Sequence, residues 1–436
     1  MTKVAVTVYA GGLVFQQVFG IKELWGIDFF WIAAIGLVVL TALYTIFGGM
    51  KSVLYTSVLQ TPILLLGSLI ILVLGFKELG GWDEMMRVCG AVTVNDYGDT
   101  MTNLIRSNDD ANFPWLGALI GSAIIGFWYW CTDQFIVQRV LSGKNEMEAR
   151  RGTIFGAYLK LLPVFLFLIP GMIAFALHQK YIGAGGEGFL PMLANGTANA
   201  DAAFPTLVAK LLPAGVKGLV VCGILAALMS SLASLFNSSA MLFTIDFYKR
   251  FKPETPEKKL VGIGQIATIV IVVLGILWIP IMRSVGDVLY TYLQDVQSVL
   301  APGIAAAFLM GICWKRTSAQ GGMWGLIAGM IIGLTRLGAK VYYSNAGEVA
   351  DSTFKYLFYD MNWLFFCGWM FLFCIIVVIV VSLATEAPTA AKIQGLVSGT
   401  ATKEQKAANR ASWDHWDIIH TVIILDITGA FYWYFW

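Results

Sequence analysis

Apolar residues run through this chain in long, nearly uninterrupted stretches, and polar residues collect in short segments between them. A helix needs about 20 mostly apolar residues to cross a bilayer. Eleven windows meet that requirement: 3–19, 28–48, 53–76, 114–137, 154–178, 217–243, 260–282, 286–313, 321–344, 361–384 and 416–436. Turn formers and charges fill the gaps, as at 80–82, 252–256 and 385–388. The pattern predicts an all-α integral membrane bundle forming one transmembrane domain over 1–436, with 385–414 a polar cytoplasmic loop before the last span. The first window is the weakest, because Gly11, Gly12, Gln16 and Gln17 interrupt it. A signal peptide competes for this stretch, since Lys3 precedes it. We favour a helix from the middle of a larger bundle, so the chain is expected to begin part-way through a longer protein.

Composition sharpens the reading. Of 436 residues 58% are hydrophobic and 13% charged, whereas soluble proteins carry roughly 25% charged residues. A soluble globular enzyme is excluded on that ground. The net charge of +2 is dispersed along the chain and offers nucleic acid no basic arm. Of the 29 Lys and Arg, seventeen fall in segments on the N-terminal side and ten on the opposite side. The positive-inside rule then places the N-terminus in the cytoplasm, with 77–113, 179–216 and the C-terminus outside. The sequon at Asn195 also falls outside. The six cysteines show no CxxC spacing and sit mostly in apolar runs, as small buried hydrophobes do. No H-E-x-x-H, P-loop or G-x-S-x-G motif is present, so neither an enzyme nor an organic cofactor is expected.

Function should lie where polar atoms are tolerated inside spans, since such groups are costly there and face a cavity or a partner. In 217–243, Ala227, Ser230, Ser231, Ser234 and Ser238 recur at three- and four-residue spacing and share a helix face. That face is either a close-packing seam of small residues or a row of oxygens for a hard monovalent cation. Lys160 lies about seven residues inside its span, roughly 10 Å at 1.5 Å per residue, where it can either snorkel or bind a ligand. Gln294, Asp295 and Gln297 fall within one span; the Gln294 amide can donate and accept, which suits a hydroxyl-rich solute as well as a backbone partner. Asp295 must be paired or face water. Trp128, Tyr129 and Trp130 form either an aromatic belt or a stacking platform for the C–H face of a sugar. Arg336 and Asp426 have no assigned role.

At these residues the sequence becomes specific. The stretches GGMKSVLYTSVLQTPILLLGS (48–68), YWCTDQFIVQR (129–139), ILAALMSSLASLFNS (224–238) and WKRTSAQGGMWGLIAG (314–329) resemble the sodium/solute symporter family, in its sodium/glucose cotransporter-like branch. The C-terminal segment from Gly399 is also similar to sugar-branch members. The resemblance implies an inverted-repeat, leucine-transporter-like bundle with solute and ion bound near midplane beside broken helices. It also implies fourteen spans, of which the last eleven are present here.

Carried over by position, the resemblance implies sodium binding by the backbone carbonyls of Ala227 and Ser230 and by the hydroxyls of Ser231 and Ser230. It implies sugar binding by Lys160 and Gln294, with Tyr129 as the inner aromatic gate and Trp130 beside it. Two departures bear on stoichiometry. Ser57 stands where many members have Asp, and Ala233 stands where two-sodium members have Thr, so one sodium per sugar is expected. The function implied is sodium-coupled sugar symport by alternating access. The alternatives are symport of inositol or an organic acid, or an inactive fragment. The partners are then a sugar, sodium and the lipid bilayer, with no cofactor. The location implied is multi-pass in the plasma membrane, the inner membrane if the source is bacterial.

Overall fold

The computed structural model describes residues 2–193, 196–283, 289–345 and 350–435, with side chains left out at 2, 44, 47–53, 56, 59, 281–283, 289, 291–292 and 345. The start of the 286–313 window, Asn195 and Trp436 lie outside the described residues. The described chain is helical nearly throughout, as the long apolar runs require. Its one sheet among the described residues is a two-stranded hairpin, Glu23–Leu24 with Ile27–Asp28. The turn holds Trp25 at φ 55° and Gly26 at φ 75°, the paired positive values of a type I′ turn.

Eight helices among the described residues are long and apolar enough to cross a membrane: Gln60–Leu79, Trp115–Thr132, Glu146–Gly183, Ala214–Phe251, Glu257–Pro280, Leu293–Cys313, Ala319–Ser344 and Trp363–Ala384. The three remaining windows are helical as well, over Thr2–Phe19, Phe29–Leu43 and His415–Tyr434.

Two boundaries differ from those expected. Windows 28–48 and 53–76 lie on one continuous helix, Phe29–Leu79. Asp28 caps its start by accepting the Phe30 amide at 3.0 Å, and Gly80 ends it at φ 114°. Pro62 lies between these caps and removes one ladder hydrogen bond, yet the helix runs on through it. Gly48 and Gly49 cost only about 1 kcal/mol each there, less than a break would. Window 114–137 ends early, at Thr132, because the Asp133 carboxylate accepts the Phe135 amide and starts a new helix, Gln134–Leu141.

The chain divides into two compact units: Met1–Val94, Thr100–Thr102 and Lys160–Leu289 in one; Asn95–Asp99, Asn103–Leu159 and Tyr290–Trp436 in the other. In the first unit, Phe29–Leu79 packs along Ala214–Met241. The approach is close because glycines sit on the seam. A Cβ on Gly67 would lie 2.6 Å from Val220 Cγ2, and one on Gly223 would lie 3.0 Å from Ile63 Cγ2. Both pairs, together with Ser57 and Ser230, fit a single antiparallel register. The apolar core of this unit extends under the 77–113 segment through Met85 and Cys89 on the helix Trp82–Gly90.

In the second unit Leu289–Cys313 and Ala319–Asn345 form the corresponding antiparallel pair. Their backbones meet at Gly303 and Gly329, where a Cβ on either would come within 3.3 Å of the other's Cα. Trp363–Ala384 packs against this same contact, with Cys374 Sγ 3.1 Å from a Cβ on Gly329 and 3.8 Å from one on Gly303, and with Val378 against Gly325. The 385–414 segment is exposed over most of its length and contains a short helix, Lys403–Ala411, opened by a capping box between Thr402 and Gln405.

Candidate functional site

The hydroxyl row lies on Ala214–Met241 in the first unit, and it is buried. Ser234 is 0% exposed, Ser238 4% and Ser230 7%. Ala227 and Ser231 are half-buried. Most of these hydroxyls are engaged with protein oxygens. Ser234 Oγ donates to the Ser230 carbonyl at 2.9 Å, and Ser238 Oγ to the Leu235 carbonyl at 3.1 Å. Ser230 Oγ lies 2.6 Å from Ser57 Oγ on the neighbouring helix. The Ser231 hydroxyl has no such partner among the described residues. It is therefore the oxygen of the row that is free to take a cation without giving up a bond. The Ser230 carbonyl and hydroxyl would have to share theirs. Ala233, on the same helix, is fully buried and brings no oxygen beyond its backbone.

In the sequence Ser57 stands only as a departure from a family pattern, with nothing on its own helix to mark it as a neighbour of Ser230. Gly67 and Gly223, spaced to let these two helices touch, carried the signal that would have joined them.

The aromatic run falls on a π-helical segment, Trp128–Thr132, at the end of Trp115–Phe127. Its wider register closes with the Asp133 amide donating to the Trp128 carbonyl at 3.0 Å, and Thr132 Oγ1 donates to the same oxygen at 2.8 Å. One extra residue in a helical turn is frequent at functional sites, and here it turns successive aromatic rings against each other. Tyr129 and Trp130 stand edge to face, with centroids 5.2 Å apart and planes at 88°. Tyr129 is half-buried and Trp130 half-exposed. Trp128 packs against a cluster that includes Ala301 and Ala305 of Leu289–Cys313, so the aromatic segment and the helix bearing Gln294 share a core.

Gln294 is half-buried two turns before Ala301, and its amide makes no hydrogen bond to another described residue. Among the described residues, no backbone group satisfies this glutamine. Asp295 is paired, with Lys340 Nζ at 2.7 Å and Arg336 Nη2 at 3.5 Å. Arg336, left without a role by the sequence, is fully buried. Lys160 is exposed in the last turn before Pro163 and the π-helical segment Val164–Leu168. Lys160 belongs to the first unit with Ala227, Ser230 and Ser231, while Tyr129, Trp130 and Gln294 belong to the second.

With this geometry in place, comparison with known proteins is informative. The family model described as "Sodium:solute symporter family" matches residues 1–329. The chain belongs to that family. It is similar to the sodium/mannose cotransporter of Bos taurus, 34% identical over all of this chain and 75% of the relative. It is also similar to sodium/myo-inositol cotransporter 2 of Homo sapiens (35% identical, 89% of this chain, 58% of the relative) and sodium/glucose cotransporter 1 of Ovis aries (35%, 88% and 59%). The chain thus spans about three-fifths of the length of the inositol and glucose relatives. Among solved structures it resembles a substrate-bound, outward-open Na+-coupled sialic acid symporter, with a TM-score of 0.63 and 20% identity over 89% of this chain and 74% of that one. That likeness agrees with the expected symporter-type helical fold. The family consists of multi-pass membrane transporters, and its coupling ion is sodium.

Proposed function

We propose that this chain takes part in sodium-coupled symport of a sugar or closely related polyol across the plasma membrane by alternating access, with one sodium per solute. Sodium is held by the Ala227 and Ser230 carbonyls and the Ser231 hydroxyl, with Ser230 Oγ as a further ligand. The solute is held by Gln294 and Lys160, and the Tyr129 ring, braced by Trp130, closes its inner side. The observation that carries this reading is the Ser231 hydroxyl, which has no hydrogen-bond partner among the described residues, on a buried hydroxyl row of a span-length helix. It is a neutral oxygen in a dry setting, which suits a hard monovalent cation. The unengaged Gln294 amide supports the solute half, since it can donate to one hydroxyl and accept from another.

An ion drives uptake only through different affinities in the two access states. One charge moving through 100 mV releases about 2.3 kcal/mol, enough for roughly fifty-fold accumulation per ion. Ser57 brings no carboxylate and Ala233 no side-chain oxygen for a second cation, which supports the single-ion stoichiometry. Mannose, myo-inositol and glucose, named for the relatives, define the solute class to test.

The experiment is uptake of labelled glucose, mannose and myo-inositol into proteoliposomes containing the chain, with and without sodium. Uptake should require sodium, and Ser231→Ala should raise the sodium concentration for half-maximal uptake several-fold. Uptake indifferent to sodium would refute symport, and an unchanged sodium requirement in Ser231→Ala would refute the ion-site assignment.

A further inference from the structure

The second unit holds a cluster of three charges beside Gln294, with Arg336 fully buried and Asp295 and Lys340 half-buried. Asp295 follows Gln294 directly, and its two carboxylate oxygens are divided between two cations one turn apart on Ala319–Asn345. Lys340 Nζ reaches one oxygen at 2.7 Å and Arg336 Nη2 the other at 3.5 Å. Arg336 is fully buried and fixed from other sides as well. Its Nη2 donates to the Met361 carbonyl at 2.8 Å, its Nη1 to the Leu357 carbonyl at 3.4 Å, and its guanidinium lies 4.1 Å from the Phe366 ring centre. One carboxylate is thus anchored to a cation that two backbone carbonyls and an aromatic face already hold still.

The helix carrying Gln294 needs such an anchor. Pro302, inside Leu289–Cys313, has no amide hydrogen, so the Ser298 carbonyl loses its usual helical donor. Ser298 Oγ instead donates back to the Asp295 carbonyl at 2.6 Å. Below this point the helix is locked by backbone approach at Val299–Gly333 and Gly303–Gly329. Above it, Asp295 ties the turn to the neighbouring helix through Lys340 and Arg336. Adjacent residues on a helix point about 100° apart, so tying Asp295 fixes the direction in which Gln294 projects.

We propose that Asp295, clasped between Arg336 and Lys340, is a positioning residue that holds the Gln294 amide in its solute-binding orientation. The proposal rests on the reading of Gln294 as a solute contact. Recognition groups work when held to within about 0.5 Å, and the clasp supplies that restraint where the helix ladder is interrupted.

The test is a double-mutant cycle on equilibrium binding of glucose, mannose and myo-inositol to the purified full chain in sodium buffer. Gln294→Ala should weaken binding of at least one probe by roughly two- to ten-fold, the loss of one hydrogen bond. Asp295→Asn should weaken it by no more than that, and its effect should shrink below two-fold once Gln294→Ala is present, because coupled residues are non-additive. Asp295→Glu should recover most of the affinity. Equal factors for Asp295→Asn in both backgrounds, or no loss at all, would overturn the positioning role while leaving Gln294 as a contact. If Gln294→Ala changes nothing, or the unmodified chain binds none of the probes, the solute reading fails and the positioning role falls with it. Should Asp295→Asn fail to fold, Lys340→Gln runs the same cycle, since it leaves Asp295 and Arg336 as a matched pair.

Discussion

The close approach of the two helices next to Gln294 can be tested directly by adding one methyl group. A Cβ at Gly333 would lie 2.4 Å from the Val299 carbonyl oxygen and 2.7 Å from Val299 Cγ1. An ordinary carbon–oxygen contact needs more than 3 Å, and the obstructing atom is backbone, so no rotamer change relieves the clash. The two helices must separate by several tenths of an ångström along a seam that also contains Gly303–Gly329 and the Asp295 clasp. Overpacking of this kind costs about 1–3 kcal/mol. Gly338, five residues along the same helix, has no atom within 4 Å of its would-be Cβ. Ala there gains helix propensity, about 0.8–1 kcal/mol. Gly333→Ala should therefore lower the thermal unfolding temperature in detergent at a fixed scan rate, and Gly338→Ala should leave it equal or higher. Because separation of the helices also lengthens the Asp295 contacts, Gly333→Ala should weaken solute binding as well. Matching unfolding temperatures for the two variants would refute the tight seam and the positioning argument built on it.

Two further outcomes follow from the proposed ion site in the first unit and from the 95–113 segment. Ser57→Asp places a carboxylate beside Ser230, and two opposite unit charges about 4 Å apart gain roughly 1–4 kcal/mol between bulk-water and protein-surface screening. The sodium requirement for uptake should fall about five-fold or more, and an unchanged requirement would remove Ser230 from the ion site. In the 95–113 segment, the Asn95 amide and the Ser107 backbone hold the Asp99 carboxyl below its usual range. Burial pushes Asp110 upward, but the Phe113 and Asn112 amides, Arg106 and Asn95 outweigh it and hold that carboxyl low as well. A depressed carboxyl stabilises the fold above its unfolded value, roughly 3.9, and that contribution is lost as pH falls through the lower folded value. Hydrogen exchange across 95–113 should stay slow from neutral pH down to about 4 and quicken only below it; acceleration already near pH 6 would contradict the assignment.

Much of the architecture was legible because the bilayer imposes one length and one periodicity. Every apolar window is mostly helical over its described residues, including the weak one at 3–19, whose Gly11 and Gly12 prove to be contact points with Leu37 and Phe30. The misjudged boundary at 49–52 has the same origin. Hydropathy marks where a helix leaves an apolar setting, and it is silent on whether the backbone stops there. Ends with a local chemical cause were more readable in principle, since Asp28, Asp133 and Gly80 each carry a cap or a positive φ.

The site divides along the same line. Residue type was enough to nominate Ser231 and Gln294, because a lone hydroxyl or amide on a span-length helix has few inexpensive fates. Pairing was not readable. Ser57 meets Ser230 across 173 positions and Asp295 meets Arg336 across 41, and no periodicity on one helix encodes a partner on another. What the sequence did carry was the precondition for both pairings, namely glycines spaced along each seam: Gly67 and Gly223 in one unit, Gly303, Gly329 and Gly333 in the other. Wherever such small residues let two backbones touch, the polar side chains within about three turns along are brought into reach of each other. Those side chains are then the ones able either to serve a ligand or to hold a neighbour that does. By that logic Arg336, unassigned when read alone, is explained by Gly333 one turn earlier.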